Sequence, residues 1–173
     1  MSKLRLALVG TGYIAKIHAQ AARQAQLDLV AVVNHSQPSM RRFADQFALE
    51  RCYTSLDDLI GAGGVDAISI NSPNYLHAPQ TIRALEAGIH VMVEKPMALN
   101  AVEAEQMLRA SETSGAKLMV AHCWRFDEEV RWLKQRLDAG LIGSIVRTKG
   151  YGIHANWGPS GWFTQAQYAG GGA

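Results

Sequence analysis

The chain has 173 residues, 48% of them apolar and 18% charged, the profile of an ordinary globular protein with room for one sizeable core. A net charge of +2 with scattered basic residues lacks the basic stripe of a nucleic-acid binder, and no apolar run approaches the roughly 18 residues of a membrane span. Cys52 and Cys123 lie far apart with no metal-ligand spacing, so no metal is expected and both thiols are expected reduced, in a cytoplasmic protein.

The chain opens on "MSKLRLALVG", where Lys3 and Arg5 precede an apolar run. The run stops at Gly10 without a cleavage pattern, so Leu4 to Val9 reads as a strand rather than a signal peptide. Ile14, Ile17, Ala21 and Ala25 then recur at helical spacing. Leu27 to Asn34 is a second apolar strand. Residues 38 to 48 form a helix with Pro38 near its start and Met40, Phe43 and Phe47 on one side. Ser55 and Asp58 suit a capping box for a short helix ending near Gly61. Val65 to Ile70 is a third strand. The helix after it holds Pro79 in its first turn and ends at Gly88, placed to be left-handed. "IHVMVE" is a fourth strand, Asn100 and Glu103 open the next helix, Gly115 closes it, and "KLMVAH" is a fifth strand.

Short, nearly all-apolar strands alternating with helices mean a parallel sheet covered on both faces. The expected fold is a doubly wound α/β domain over residues 1–122, followed by the beginning of an α+β second domain over 123–173. Asp127 to Ala139 reads as an amphipathic helix with Val130, Leu133 and Leu137 on one face, and residues 144–151 alternate like a strand. One helix and one strand cannot bury a core, so this region reads as incomplete: a fragment, or one completed by another subunit. The open edge of strand 144–151 points to a homo-oligomer.

Four stretches carry chemistry. "GTGYIA" directly follows a strand and opens a helix. Gly10 permits a tight turn, Gly12 lets backbone approach a pyrophosphate, and Ala15 allows close helix–strand packing. Tyr13 and Ile14 begin the helix whose free N–H groups and positive dipole end would face the phosphates. After the second strand come Asn34, His35 and Ser36. No acidic residue stands there to grip a ribose diol, so NAD and NADP both stay open, as does a simple turn. Ser72, Pro73 and Asn74 follow the third strand at the ligand-binding rim, and Asn74 could equally cap a helix. Glu94 and Lys95 end the fourth strand on the same rim, and neighbouring strand residues point to opposite sides. Sequence alone gives no licence for a cis Lys95–Pro96 bond.

Taken together, "GTGYIAKIHA", "NSPNYLHAP", "AGIHVMVEKPMA" and "HCWRF" resemble the N-terminal half of the Gfo/Idh/MocA family over nearly the whole chain. The resemblance implies a Rossmann domain binding NAD(H) or NADP(H) and a second domain that covers a small-molecule substrate of the sugar or polyol class. It implies hydride transfer between nicotinamide and a carbinol or carbonyl. Lys95 would contact the reacting hydroxyl as the catalytic residue, and Glu94 would lie near the nicotinamide ribose. His77 matches a common family position among the cofactor-binding residues, and His18 reads as structural. Arg125 would sit near the nicotinamide or form an interdomain salt bridge.

The family's Asp and catalytic His follow a Gly-rich segment, and this sequence stops at that point, "YAGGGA". A lysine, with an ordinary pKa of about 10.4, is a poor base at neutral pH, so Lys95 is expected to hold and polarise the oxygen rather than take its proton. His122 and His154 are the only candidates to replace the missing histidine, and neither is favoured. The chain by itself is therefore expected to bind cofactor with little turnover. The alternative is a non-catalytic, dinucleotide-sensing regulator of the same fold.

Overall fold

The computed structural model describes residues 3–150 and 161–170. They fall into two compact units, one of Met1–Ala121 with Trp162–Ala173 and one of His122–Gly161. In the first, β1 (Arg5–Val9), α1 (Tyr13–Gln24), β2 (Asp28–Val33), α2 (Gln37–Gln46), β3 (Arg51–Tyr53) and α3 (Leu56–Ala62) lead to β4 (Ala67–Ile70). The chain continues through α4 (His77–Glu86), β5 (His90–Val93), α5 (Ala101–Ser114) and β6 (Leu118–Val120). All strand pairs are parallel, in the order β3-β2-β1-β4-β5-β6. This is the doubly wound Rossmann arrangement, and its strand order reverses between β1 and β4.

The register assigns each side chain to a face. Leu8 pairs with Val32 and Ser69, and Ser69 with Met92. Leu8 and Val32 pack with Ala15 and Ala19 of α1 and with Met40, Phe43 and Phe47 on one face of the sheet. Ala15, Ala19 and Ala22 are the buried side of α1, and their small size lets the helix lie close to the strands. On the other face Val9, Ile68, Ile70, Val91 and Val93 meet Leu59, Ala78, Leu85 and Met107 from α3, α4 and α5. Burial of each such side chain contributes about 1.5–3 kcal/mol; on the α1 side the cover thins toward β5 and β6, where Met92 is half-buried and Met119 exposed.

Local signals behave as read. The Asp58 N–H donates to Ser55 Oγ at 3.1 Å, and the Glu103 N–H donates to Asn100 Oδ1 at 3.0 Å. Gly88 and Gly115 adopt positive φ of 76° and 72° after their helices. Two expectations need correction. A sixth strand, β3, is present; its three residues, Arg-Cys-Tyr, are too few to show a period. Residues 144–150 form no strand, because alternation alone supplies no partner for the backbone groups. The expected sheet edge there is therefore absent among the described residues. Tyr151, His154, Trp157 and residues 171–173 lie outside the described residues.

The second unit contains a 3₁₀ turn (Cys123–Phe126) and α6 (Glu128–Asp138), whose first turn is capped by Asp127 Oδ1 at 3.0 Å from the Val130 N–H. The short helix α7 (Ala166–Ala169) belongs to the first unit. No helix among the described residues is long and apolar enough to cross a membrane.

Candidate functional site

The carboxyl ends of β1, β2, β4 and β5 bring the sequence-predicted residues of the first unit to one rim. The Gly10 N–H donates to Val33 O at 2.9 Å, which carries the chain across the end of β2. Gly10 has φ of +96°, and a β-carbon there would lie 2.7 Å from Asn71 O. Only glycine satisfies both conditions. Gly12 precedes α1 with no side-chain cap and no acidic residue in the first turn, and space for a β-carbon is open on it. The first N–H groups of α1 thus face an unfilled surface with a positive dipole end, a geometry suited to a pyrophosphate. Tyr13 is 81% exposed beside it and Ile14 is half-buried. Thr11 Oγ1 and Ser39 Oγ, 2.8 Å apart, tie the glycine turn to α2.

Asn34, His35 and Ser36 form the turn after β2, where Asn34 Nδ2 donates to Ser36 O at 3.2 Å. Ser72 donates to Gln80 Oε1 at 2.6 Å, beside Pro73. Asn74 makes no cap bond. Its buried amide instead donates to Ala169 O at 2.9 Å, and Tyr75 packs on Tyr168 with ring centroids 5.0 Å apart. Tyr168 and Ala169 therefore lie against the segment after β4, and Gly170 lies against Leu99 after β5.

His77 opens α4 and is buried. Its Nδ1 lies 2.7 Å from Pro96 O and its Nε2 2.8 Å from Ser72 O, so one ring bridges the two rim segments after β4 and β5. The Lys95–Pro96 bond is cis.

Glu94 turns to the α1 face and is buried. Its Oε1 lies 2.9 Å from His18 Nε2, and its Oε2 accepts the Lys95 backbone N–H at 3.0 Å. Burial pushes the Glu94 carboxyl up, but the His18 and Lys95 bonds outweigh it and hold the group below its ordinary range. Lys95 itself is exposed, and its ammonium has no ion-pair partner among the described residues. Sequence reasoning missed the His18 bond, since nothing in helical spacing relates His18 to a strand end 76 residues away. Arg125 and His122 belong to the second unit and are exposed. Among the described residues no group of three or more His, Cys, Asp or Glu is placed to hold a metal ion.

An uncapped helix behind a glycine turn at the switch point, with a buried carboxylate and a free ammonium on the same rim, defines a dinucleotide-binding α/β protein. The family described as "Oxidoreductase family, NAD-binding Rossmann fold" matches residues 4–122, and the chain belongs to this Gfo/Idh/MocA family. It is 31% identical to D-glucoside 3-dehydrogenase of Escherichia coli (strain K12), over 99% of this chain and 50% of the relative. It is also 31% identical to scyllo-inositol 2-dehydrogenase (NADP(+)) IolU of Bacillus subtilis (strain 168), over 83% of this chain and 44% of the relative. The crystal structure of scyllo-inositol dehydrogenase from Lactobacillus casei, with bound NAD(H) and scyllo-inositol, superposes with a TM-score of 0.77 at 28% identity. That match covers 82% of this chain and 43% of the other. The chain spans about half the length of the curated relatives it matches.

Proposed function

We propose that the chain serves an NAD(P)-dependent oxidoreductase acting on a carbinol or carbonyl of a sugar, polyol or related compound. The observation that carries the reading is the shared rim: Gly10 packs on Asn71 at the end of β4, and Glu94 and Lys95 leave the adjacent strand β5. Relatives named for glucoside and inositol oxidation support the substrate class.

Gly10, Gly12, Tyr13 and Ile14 would hold the pyrophosphate through backbone N–H groups. Asn34, His35 and Ser36 would meet the adenosine ribose. Ser72, Pro73, Asn74 and His77 would line or shape the nicotinamide side. Bound NAD(P) supplies the hydride chemistry. Lys95 would hold the substrate oxygen and favour negative charge on it, as a fixed cation does at a developing alkoxide. Proton transfer is left to a second group, so the 173 residues alone would bind cofactor and turn over little. Oligomerisation belongs to the same proposal and is supported by the exposed Val130, Trp132 and Leu133 of α6.

Fluorescence titration with NADH and NADPH tests the reading, followed by assay against glucosides and inositols. Saturable binding that survives Lys95→Met, with little turnover by the 173 residues in either form, is the expected result. Absence of saturable binding would overturn the reading, and robust turnover by the 173 residues would overturn the assignment of proton transfer to a second group.

A further inference from the structure

We propose that His18 is a positioning residue that ties the dinucleotide-loop helix to Lys95. The functional importance of this tie rests on the reading above, in which Lys95 holds the substrate oxygen.

An ionised carboxylate only accepts, so His18 Nε2, 2.9 Å from Glu94 Oε1, carries a hydrogen and donates it. His18 Nδ1 lies 2.8 Å from Ser69 Oγ. In the neutral ring that one hydrogen is on Nε2, and Nδ1 accepts from the Ser69 hydroxyl. Asn71 Nδ2 lies 3.2 Å from the same Oγ and 3.0 Å from Ser69 O, and supplies the hydrogen that the hydroxyl oxygen accepts. The Lys95 N–H reaches Glu94 Oε2 at 3.0 Å. Every donor in this row has an acceptor: Asn71 to Ser69, Ser69 to His18, His18 to Glu94, and Lys95 N–H to Glu94 from the other end.

The row spans three elements. Ser69 and Asn71 come from β4 and its end, His18 from α1, and Glu94 and Lys95 from the end of β5. It starts at the residue whose carbonyl lies against Gly10 and ends at the backbone from which the ammonium side chain departs. Ser69 is fully buried, and the His18 and Glu94 side chains are 12% and 11% exposed. Water therefore competes little with these bonds, and the bond to the carboxylate is charge-assisted. A histidine kept only for packing could be replaced by an apolar side chain; this one uses both ring nitrogens, one of them on the residue preceding Lys95. Without it, Glu94 loses one of its two internal donors and swings toward water. The Lys95 N–H then loses its fixed acceptor, and the direction in which Lys95 leaves the sheet is no longer set.

Hydrogen exchange at single amides of the 173-residue chain tests this without any catalytic assay, so its outcome is separate from the fate of the oxidoreductase reading. In His18→Ala the Lys95 N–H is expected to exchange about tenfold faster, the loss of about one hydrogen bond, while the amides of Val91 and Val93 keep their rates. His18→Gln, whose side-chain amide can still donate to Glu94, should restore most of the protection. Unchanged exchange at Lys95 would overturn the proposal. So would equal acceleration across β1, β4 and β5, because His18 would then be merely part of the core. If His18→Ala fails to fold, Ser69→Ala gives the same comparison: selective acceleration at Lys95 supports the row, and its absence refutes it.

Discussion

The carbonyl oxygen of Asn71 lies 2.7 Å from where a β-carbon on Gly10 would sit, and Gly10 is at φ +96°. Gly12, two residues on, has φ of −72° and open space in front of it. The two glycines therefore predict opposite phenotypes. Gly10→Ala should lower stability by about 2 kcal/mol or more through clash and left-handed strain. Gly12→Ala should leave stability within about 0.5 kcal/mol and weaken NADH binding, because its methyl group occupies the surface that a phosphate needs. Urea denaturation and fluorescence titration of both variants separate these effects.

His77 bridges Ser72 O and Pro96 O across the rim. His77→Ala removes the ring N–H that donates at the rim and leaves a cavity where a fully buried side chain stood, a combined loss of about 3 kcal/mol. The expected result is a clear fall in the urea midpoint with an unchanged slope.

Asn34 immediately follows β2, where an acidic side chain would favour NAD and repel a 2′-phosphate. Asn34→Asp is expected to lower NADPH affinity by about tenfold or more relative to NADH, as a new charge beside a phosphate requires. Paired titrations with the two cofactors measure the ratio, and an unchanged ratio would show that the turn after β2 does not meet the ribose.

The Asp66 carboxyl accepts Arg5 Nη2 at 2.6 Å, Arg5 Nε at 3.0 Å and the Arg5 N–H at 2.8 Å. The Arg5 side-chain bonds first, then the backbone bond, hold its pKa down at about 2. The folded value lies below the unfolded one of about 3.9, so the unfolded chain binds more protons between them. This contribution to stability is complete above about 3.9 and disappears as pH falls through about 2. Asp66→Asn should flatten the acid limb of the stability profile in that window. Because the pair is exposed, added salt should shrink the difference.

Much of the fold was legible because strand and helix periods are local. Continuous apolar runs gave the buried strands, and Ser55, Asn100 and Gly115 marked helix ends where their side chains or missing β-carbons act on nearby backbone. β3 escaped because three residues hold no period, and the alternation at 144–150 misled because pairing, which makes a strand, is not local.

By itself the sequence determined the parallel sheet, the glycine turn and the rim on which Glu94 and Lys95 emerge, since each follows from spacing within one or two adjacent elements. Tertiary structure alone decided what those groups touch. The Ser69–His18 and His18–Glu94 bonds join residues 51 and 76 positions apart, and the Asn74–Ala169 bond joins residues 95 apart. Such bonds exist only once the sheet has set the distance between strand ends, and no pattern along the chain encodes that distance.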